Sequence, residues 1–235
     1  MTTLLVAAVA GPTGAQQVRG TEALARSIAY HDSAGAWSQF AGTLVLDEIR
    51  PDGSSRRARV TLDVPDGLFR YELPGPPRVV KAVRGNACTA SVDGVTTLDA
   101  AVRERYHLGC DQILVSRNYY LYLWGLPMKL ADSGTRVGEW ARPTTFQGKS
   151  VLAVRVTYDP EVGSDTWYFY LDPATWRLIG YRFYHDESAN DGEYIVLSGQ
   201  YDVGGLRIPR TRRWYGNSDD GFLGTDSLVA VEPSR

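Results

Sequence analysis

Along residues 21–35, Leu24 and Ile28 recur with several alanines at helical spacing, with Thr21 as an N-cap and Gly35 near the stop. The period then falls to two. "GTLVLDEI" and "RARVTLDV" alternate apolar with polar, and the second puts Val60, Leu62 and Val64 on one face, as half-buried strands do. Turn residues at Pro51-Asp52-Gly53, Pro65-Asp66-Gly67, Gly85-Asn86 and Asp93-Gly94 cut this region at hairpin intervals, which predicts an antiparallel meander of about five strands.

Between residues 99 and 130 the helical period returns. Ile113, Leu114, Arg117, Leu121 and Trp124 form one stripe, and Gly125-Leu126-Pro127 ends it. Two helices are expected there. Strands resume around 137–146, 150–158, 164–172, 175–185, 193–203, 206–215 and 222–231. The chain thus reads as mainly β with an α component, in a single domain over 16–235. A sheet of so many strands must curl and leave a concave side for the helices to cover.

The aromatic density of "GSDTWYFYLDPATWRLIGYRFY" (163–184) points to the contents of that concave side. With Asp172-Pro173-Ala174-Thr175 as the turn, Leu171 opposes Trp176, Phe169 opposes Leu178, and Trp167 lies over Gly180. Tyr168, Tyr170, Arg177 and Ile179 take the other face, whose phenols and guanidinium suit water. The expected cavity lining is therefore Trp167, Phe169, Leu171, Trp176 and Leu178, with Leu152, Val154, Val156 and Tyr158 of the preceding strand and Leu121, Trp124 and Met128 of the helical region. Periodicity alone favours plain core packing of these side chains; the amount of apolar bulk from one sheet face and the helices, with few polar groups, points to a cavity.

Charge narrows the partners. A net charge of −2, with acids and bases interspersed, creates no field for nucleic acid, and the arginines within 207–213 are spaced as in a solvated strand. "MTTLLVAAVAGPTGA" reads as a secretory leader over 1–15, although no base precedes its apolar run, and no cysteine follows it to carry a lipid. No later stretch is long enough to span a bilayer. Cys88 and Cys110 can pair in an oxidising compartment; two buried thiols are the alternative.

Catalytic patterns are missing from the sequence. His31, His107 and His185 lack zinc spacing, no serine sits in a nucleophile elbow, and neither dinucleotide nor P-loop glycines occur. The acidic run "HDESANDGE" has Asp191 where a calcium loop of the EF-hand type needs glycine, so it reads as a solvated loop. No catalytic residue, metal or cofactor is expected.

Three segments, "NYYLYLWGLPMKLADSGT" (118–135), "RVTYDPEVGSDTWYFYLDPATWRLIGYRFYHDE" (155–187) and "NDGEYIVLSGQYDVGGLRIPRTRRWYGN" (190–217), resemble a family of uncharacterised exported bacterial proteins grouped with the lipoprotein carriers LolA and LolB. The resemblance implies an incomplete antiparallel β-barrel of about eleven strands whose open side is plugged by helices. It also implies a hydrophobic cavity for acyl chains. The expected function is an exported, periplasmic or secreted carrier. It would be a monomer that holds a lipid, a lipoprotein acyl chain or a similar hydrophobic small molecule and makes transient contact with a membrane surface or partner protein. Two alternatives are a hydrolase-type enzyme using an Asp or Glu with His185 in the cavity, and a structural or interaction module with a filled interior.

Overall fold

The computed structural model describes residues 17–233; the leader expected over 1–15 lies outside them. Helix α1 (Gly20–His31) comes first, followed by strands β1 (Ala41–Ile49), β2 (Ser55–Asp63), β3 (Leu68–Leu73), β4 (Val79–Arg84) and β5 (Ala87–Val92). Helices α2 (Ala100–Tyr106) and α3 (Cys110–Trp124) interrupt the strands where the helical period returns. Then come β6 (Thr135–Val137), β7 (Arg142–Phe146), β8 (Lys149–Tyr158), β9 (Thr166–Leu171) and β10 (Leu178–Tyr184). The last three strands are β11 (Glu193–Val203), β12 (Leu206–Gly216) and β13 (Phe222–Pro233).

These thirteen strands form one open antiparallel sheet in the order β5-β4-β3-β2-β1-β13-β12-β11-β10-β9-β8-β6, with β7 also on β8. The count exceeds the expected eleven partly because residues 137–146 make two strands rather than one. Between them the backbone turns to the segment ahead of α1: Gly20 N–H donates to Glu139 O at 2.9 Å, and Ala141 N–H to Val18 O at 2.9 Å. Peptide groups committed to that segment cannot also extend the ladder.

Topology dictates where the helices go. β1 and β13 are neighbours at mid-sheet, so β5 and β6 lie at opposite free edges, and the connection between them has to run from edge to edge. In a right-twisted sheet of this width the short route crosses the hollow. α3 takes it. Trp124 packs with Leu44, Val60, Leu62 and Phe69 of the β1–β3 side, while Leu123, with Leu126 and Leu130 beyond the helix, packs with Val154, Phe169 and Tyr181 of the β8–β10 side. The Cys88–Cys110 disulfide joins β5 to the first residue of α3, with Cα atoms 5.5 Å apart.

The aromatic hairpin departs from its expected register. Asp172 Oδ1 accepts from Ala174 N–H at 3.0 Å and Thr175 N–H at 2.8 Å, and Trp176, at φ 67°, closes the loop. Trp176 therefore belongs to the turn, and Leu178 takes its place opposite Leu171. A bulge follows between Leu178 and Gly180. Here Leu178 N–H donates at 3.0 Å to Nε2 of the buried His31, an acceptor supplied by α1 and invisible to local sequence reading.

Past the bulge, Tyr181 opposes Phe169 and Phe183 opposes Trp167, so two further rings turn inward. Trp167 does not cover Gly180. Phe146 of β7 does, and a Cβ at Gly180 would lie 2.3 Å from its Cε1 and 2.7 Å from Ile195 O. The outer face of the hairpin is not left to water either: Tyr170 and Ile179 are buried with Phe146, Val151 and Tyr194 under the β7 flap.

Candidate functional site

The hollow is divided by α3. Its mid-section is solid, filled by Trp124, Phe169, Tyr181, Val154, Val156, Leu171 and Leu178, together with Met128. Leu152 and Tyr158 are half-buried against the same packing, and Trp176 stands at the turn beneath the guanidinium of Arg26, 4.7 Å from its ring centroid. Space remains along the flanks of α3.

On the β8–β9 flank a cavity of about 370 Å³ opens between α3 and the sheet. Three of the side chains singled out from sequence, Leu121, Tyr158 and Trp167, line it, joined by Tyr122 and Val162. The strand period places Trp167 and Tyr158 on the concave face, and the helix places Leu121 and Tyr122 opposite them. Trp167 stacks on Phe183 at 4.7 Å and meets Tyr122 edge-on at 5.3 Å. The hydroxyls of Tyr122 and Tyr158 share a 2.5 Å hydrogen bond, and burial pushes the Tyr158 phenol up to about 12. The wall is thus aromatic, with its phenols turned on each other and kept neutral.

The rim is polar. Asp132 pairs with Lys129, and Asp165 accepts from His185 Nδ1 at 2.8 Å, which raises the imidazole pKa. His185 itself is exposed and is not part of the cavity wall. Val162, an apolar residue on the loop after β8, was not foreseen. It is held over the opening where Gly134, at φ 84°, comes so close that a Cβ there would lie 2.6 Å from Val162 Cγ2.

A second feature is a row of charges on the concave face. Arg56 of β2, Glu48 of β1, Asp226 of β13 and Arg212 of β12 are successive cross-strand partners. Arg56 pairs with Glu48, and Trp214 Nε1 donates to Asp226 at 2.9 Å. Burial, then the charge of Glu48, lifts the Asp226 carboxyl to about 6.

Arg212 contradicts the solvated reading of the 207–213 arginines. It is 1 % exposed, lies 3.6 Å over the Trp124 ring, and donates to Leu123 O at 2.9 Å and Pro209 O at 3.0 Å. Its neighbours in phase, Leu206, Ile208 and Trp214, face the same interior, so strand alternation carried a signal that composition masked.

The architecture has solved counterparts. A LolA superfamily protein from Nitrosomonas europaea matches over 93% of this chain and 94% of its own, with a TM-score of 0.56 at 10% sequence identity. A domain described as an outer membrane lipoprotein-sorting protein, from Vibrio parahaemolyticus, matches over 91% and 90%, with a TM-score of 0.50 at 13% identity. At such identities the likeness is one of fold. The curated proteins offer no match to the sequence. The model of the family of unknown function DUF6503 matches residues 2–231, and the chain belongs to that family.

Proposed function

We propose that this chain is an exported carrier that shelters an acyl chain or similar apolar ligand in the cavity between α3 and β8–β9. The observation that carries the reading is the aromatic cavity of about 370 Å³ on the concave side of a LolA-like sheet. Cavities of about 150 Å³ already hold benzene, so this one has room for a short hydrocarbon tail. Burying about eight methylenes at about 0.8 kcal/mol each supplies ~6 kcal/mol before ordering costs. The Cys88–Cys110 disulfide suits an oxidising compartment and supports export.

Native mass spectrometry of protein purified from its host, followed by titration with a fluorescent fatty acid, tests this. The expected result is a co-purified lipid and saturable binding of the fatty acid. Val162→Asp changes a residue that is 58% exposed, so the fold is kept while a charge is set against the ligand. It is expected to weaken binding about tenfold or more. Absence of any bound apolar molecule, or equal binding by the variant, would overturn the carrier reading.

A further inference from the structure

The opposite flank of α3 holds a cavity of a different chemistry. About 500 Å³ in volume, it is walled by strands β3 and β4, the β1–β2 turn, the end of α2 and the outer side of α3. Arg50, Arg56, Lys81 and Arg105 all line it, and no carboxylate does. The four bases come from the β1–β2 turn, β2, β4 and α2, and the fold brings them to one space.

Two of the four are unspent. Arg56 is paired with Glu48, and Lys81 Nζ donates to Ser116 Oγ at 2.8 Å over the Tyr71 ring. Arg50 and Arg105 face the same space without an ion pair among the described residues; Arg105 lies over the Tyr106 ring at 5.3 Å, and Arg50 also borders the adjoining cavity, where Glu48, Glu193 and Asp226 stand. Burial and the charge of Arg56 pull the Lys81 ammonium pKa down, the response of a cation short of anions. Tyr71, Tyr106 and Tyr120 supply aromatic walls, and Leu73 and Val79 an apolar patch between them.

We infer that this cavity binds an organic phosphate, its phosphoryl group held by Arg50, Arg105 and Lys81 and its apolar part laid against the tyrosines. Guanidinium forks match phosphate oxygens in pairs, and the lysine adds a point charge. The walls are too large and too apolar for a bare anion alone. The inference does not depend on the acyl-chain reading, since the two cavities lie on opposite flanks of α3 and share no lining residue.

Isothermal titration of the full chain with octyl phosphate, octanol and inorganic phosphate tests it, alongside the variants Arg105→Gln and Lys81→Gln. Arg105 is exposed on α2, so its replacement leaves the fold intact. Octyl phosphate should bind saturably and octanol at least about tenfold more weakly, with each variant losing about ten- to a hundredfold for octyl phosphate. Inorganic phosphate should bind more weakly than octyl phosphate; equal binding would show that the apolar wall contributes nothing and would overturn the organic-phosphate assignment. Repeated in the Val162→Asp background, which suppresses octyl-chain binding in the acyl-chain cavity, octyl phosphate should keep the part of its binding that Arg105→Gln and Lys81→Gln remove, which separates a failure here from a failure of the acyl-chain cavity. The inference falls if octyl phosphate and octanol bind alike, if neither phosphate binds, or if both Gln variants titrate as the parent chain does.

Discussion

His31 and Asp226 are titratable groups whose surroundings push them in opposite senses. His31, 2% exposed, contacts Arg207 O through Nδ1 and accepts from Leu178 N–H through Nε2, so it is buried neutral, and desolvation lowers its pKa to about 4. In the unfolded chain the imidazole takes up its proton near 6.5, so stability is lost as pH falls from that value toward 4. Asp226 reverses the sign. Its folded carboxyl keeps a proton up to about 6 while the unfolded one releases it near 3.8, so stability is lost as pH rises across that interval. Between pH 4 and 6 the two contributions oppose each other. Relative to the parent chain, His31→Gln should tilt stability downward with rising pH, and Asp226→Asn upward, each by up to about 1 kcal/mol per pH unit. Urea midpoints from pH 4 to 7 measure both tilts; parallel curves for all three proteins would show that neither group is perturbed as described.

Among the elements, α3 is the one on which the cavities depend, and its own sequence says little about what holds it. Only Ile113, Leu123 and Trp124 are deeply buried along its fifteen residues, while Tyr119, Tyr120 and Tyr122 reach out to Trp214, Tyr71 and Trp167 in three sectors of the sheet. The last turn is anchored by the Arg212 hydrogen bond to Leu123 O. Arg212→Met preserves bulk but leaves the Leu123 and Pro209 carbonyls without their donor, and is expected to cost about 2–3 kcal/mol. Hydrogen exchange should report it at the Leu123, Trp124 and Gly125 amides first. Unchanged protection there would mean that apolar packing alone holds the helix.

The strands and helices themselves were legible in the sequence, because their periods of two and 3.6 record which side faces the core. The inward set Trp167, Phe169 and Leu171 was legible for the same reason. The hairpin register was not, since it depends on Asp172 capping its own turn and on an imidazole from a helix 147 positions earlier in the chain. The charge row and the cationic cavity were hidden too: the row is completed only by the pairing of Glu48 on β1 with Asp226 on β13, and the cavity only when α2 and α3 come to lie against the β2–β4 meander.

For the molecule as a whole, the disulfide ties the β5 edge to the helix that crosses the hollow and closes a loop with a sequence separation of 22 that contains α2. Loop-closure entropy for that length gives about 3 kcal/mol, and the Cys88→Ser, Cys110→Ser double variant should lose about that much. Denaturant unfolding of both proteins measures it, and equal midpoints would show that packing already confines the loop.

A sheet that ends in two separate edges, β5 and β6, behaves like a split ring rather than a hoop. Parting the slit breaks no ladder between neighbouring strands, so the girth of the interior is a soft coordinate resisted mainly by side chains that bridge the gap. On the carrier reading, a bulky guest is therefore expected to part the slit rather than the β1–β13 seam, whose strands are tied by backbone pairing.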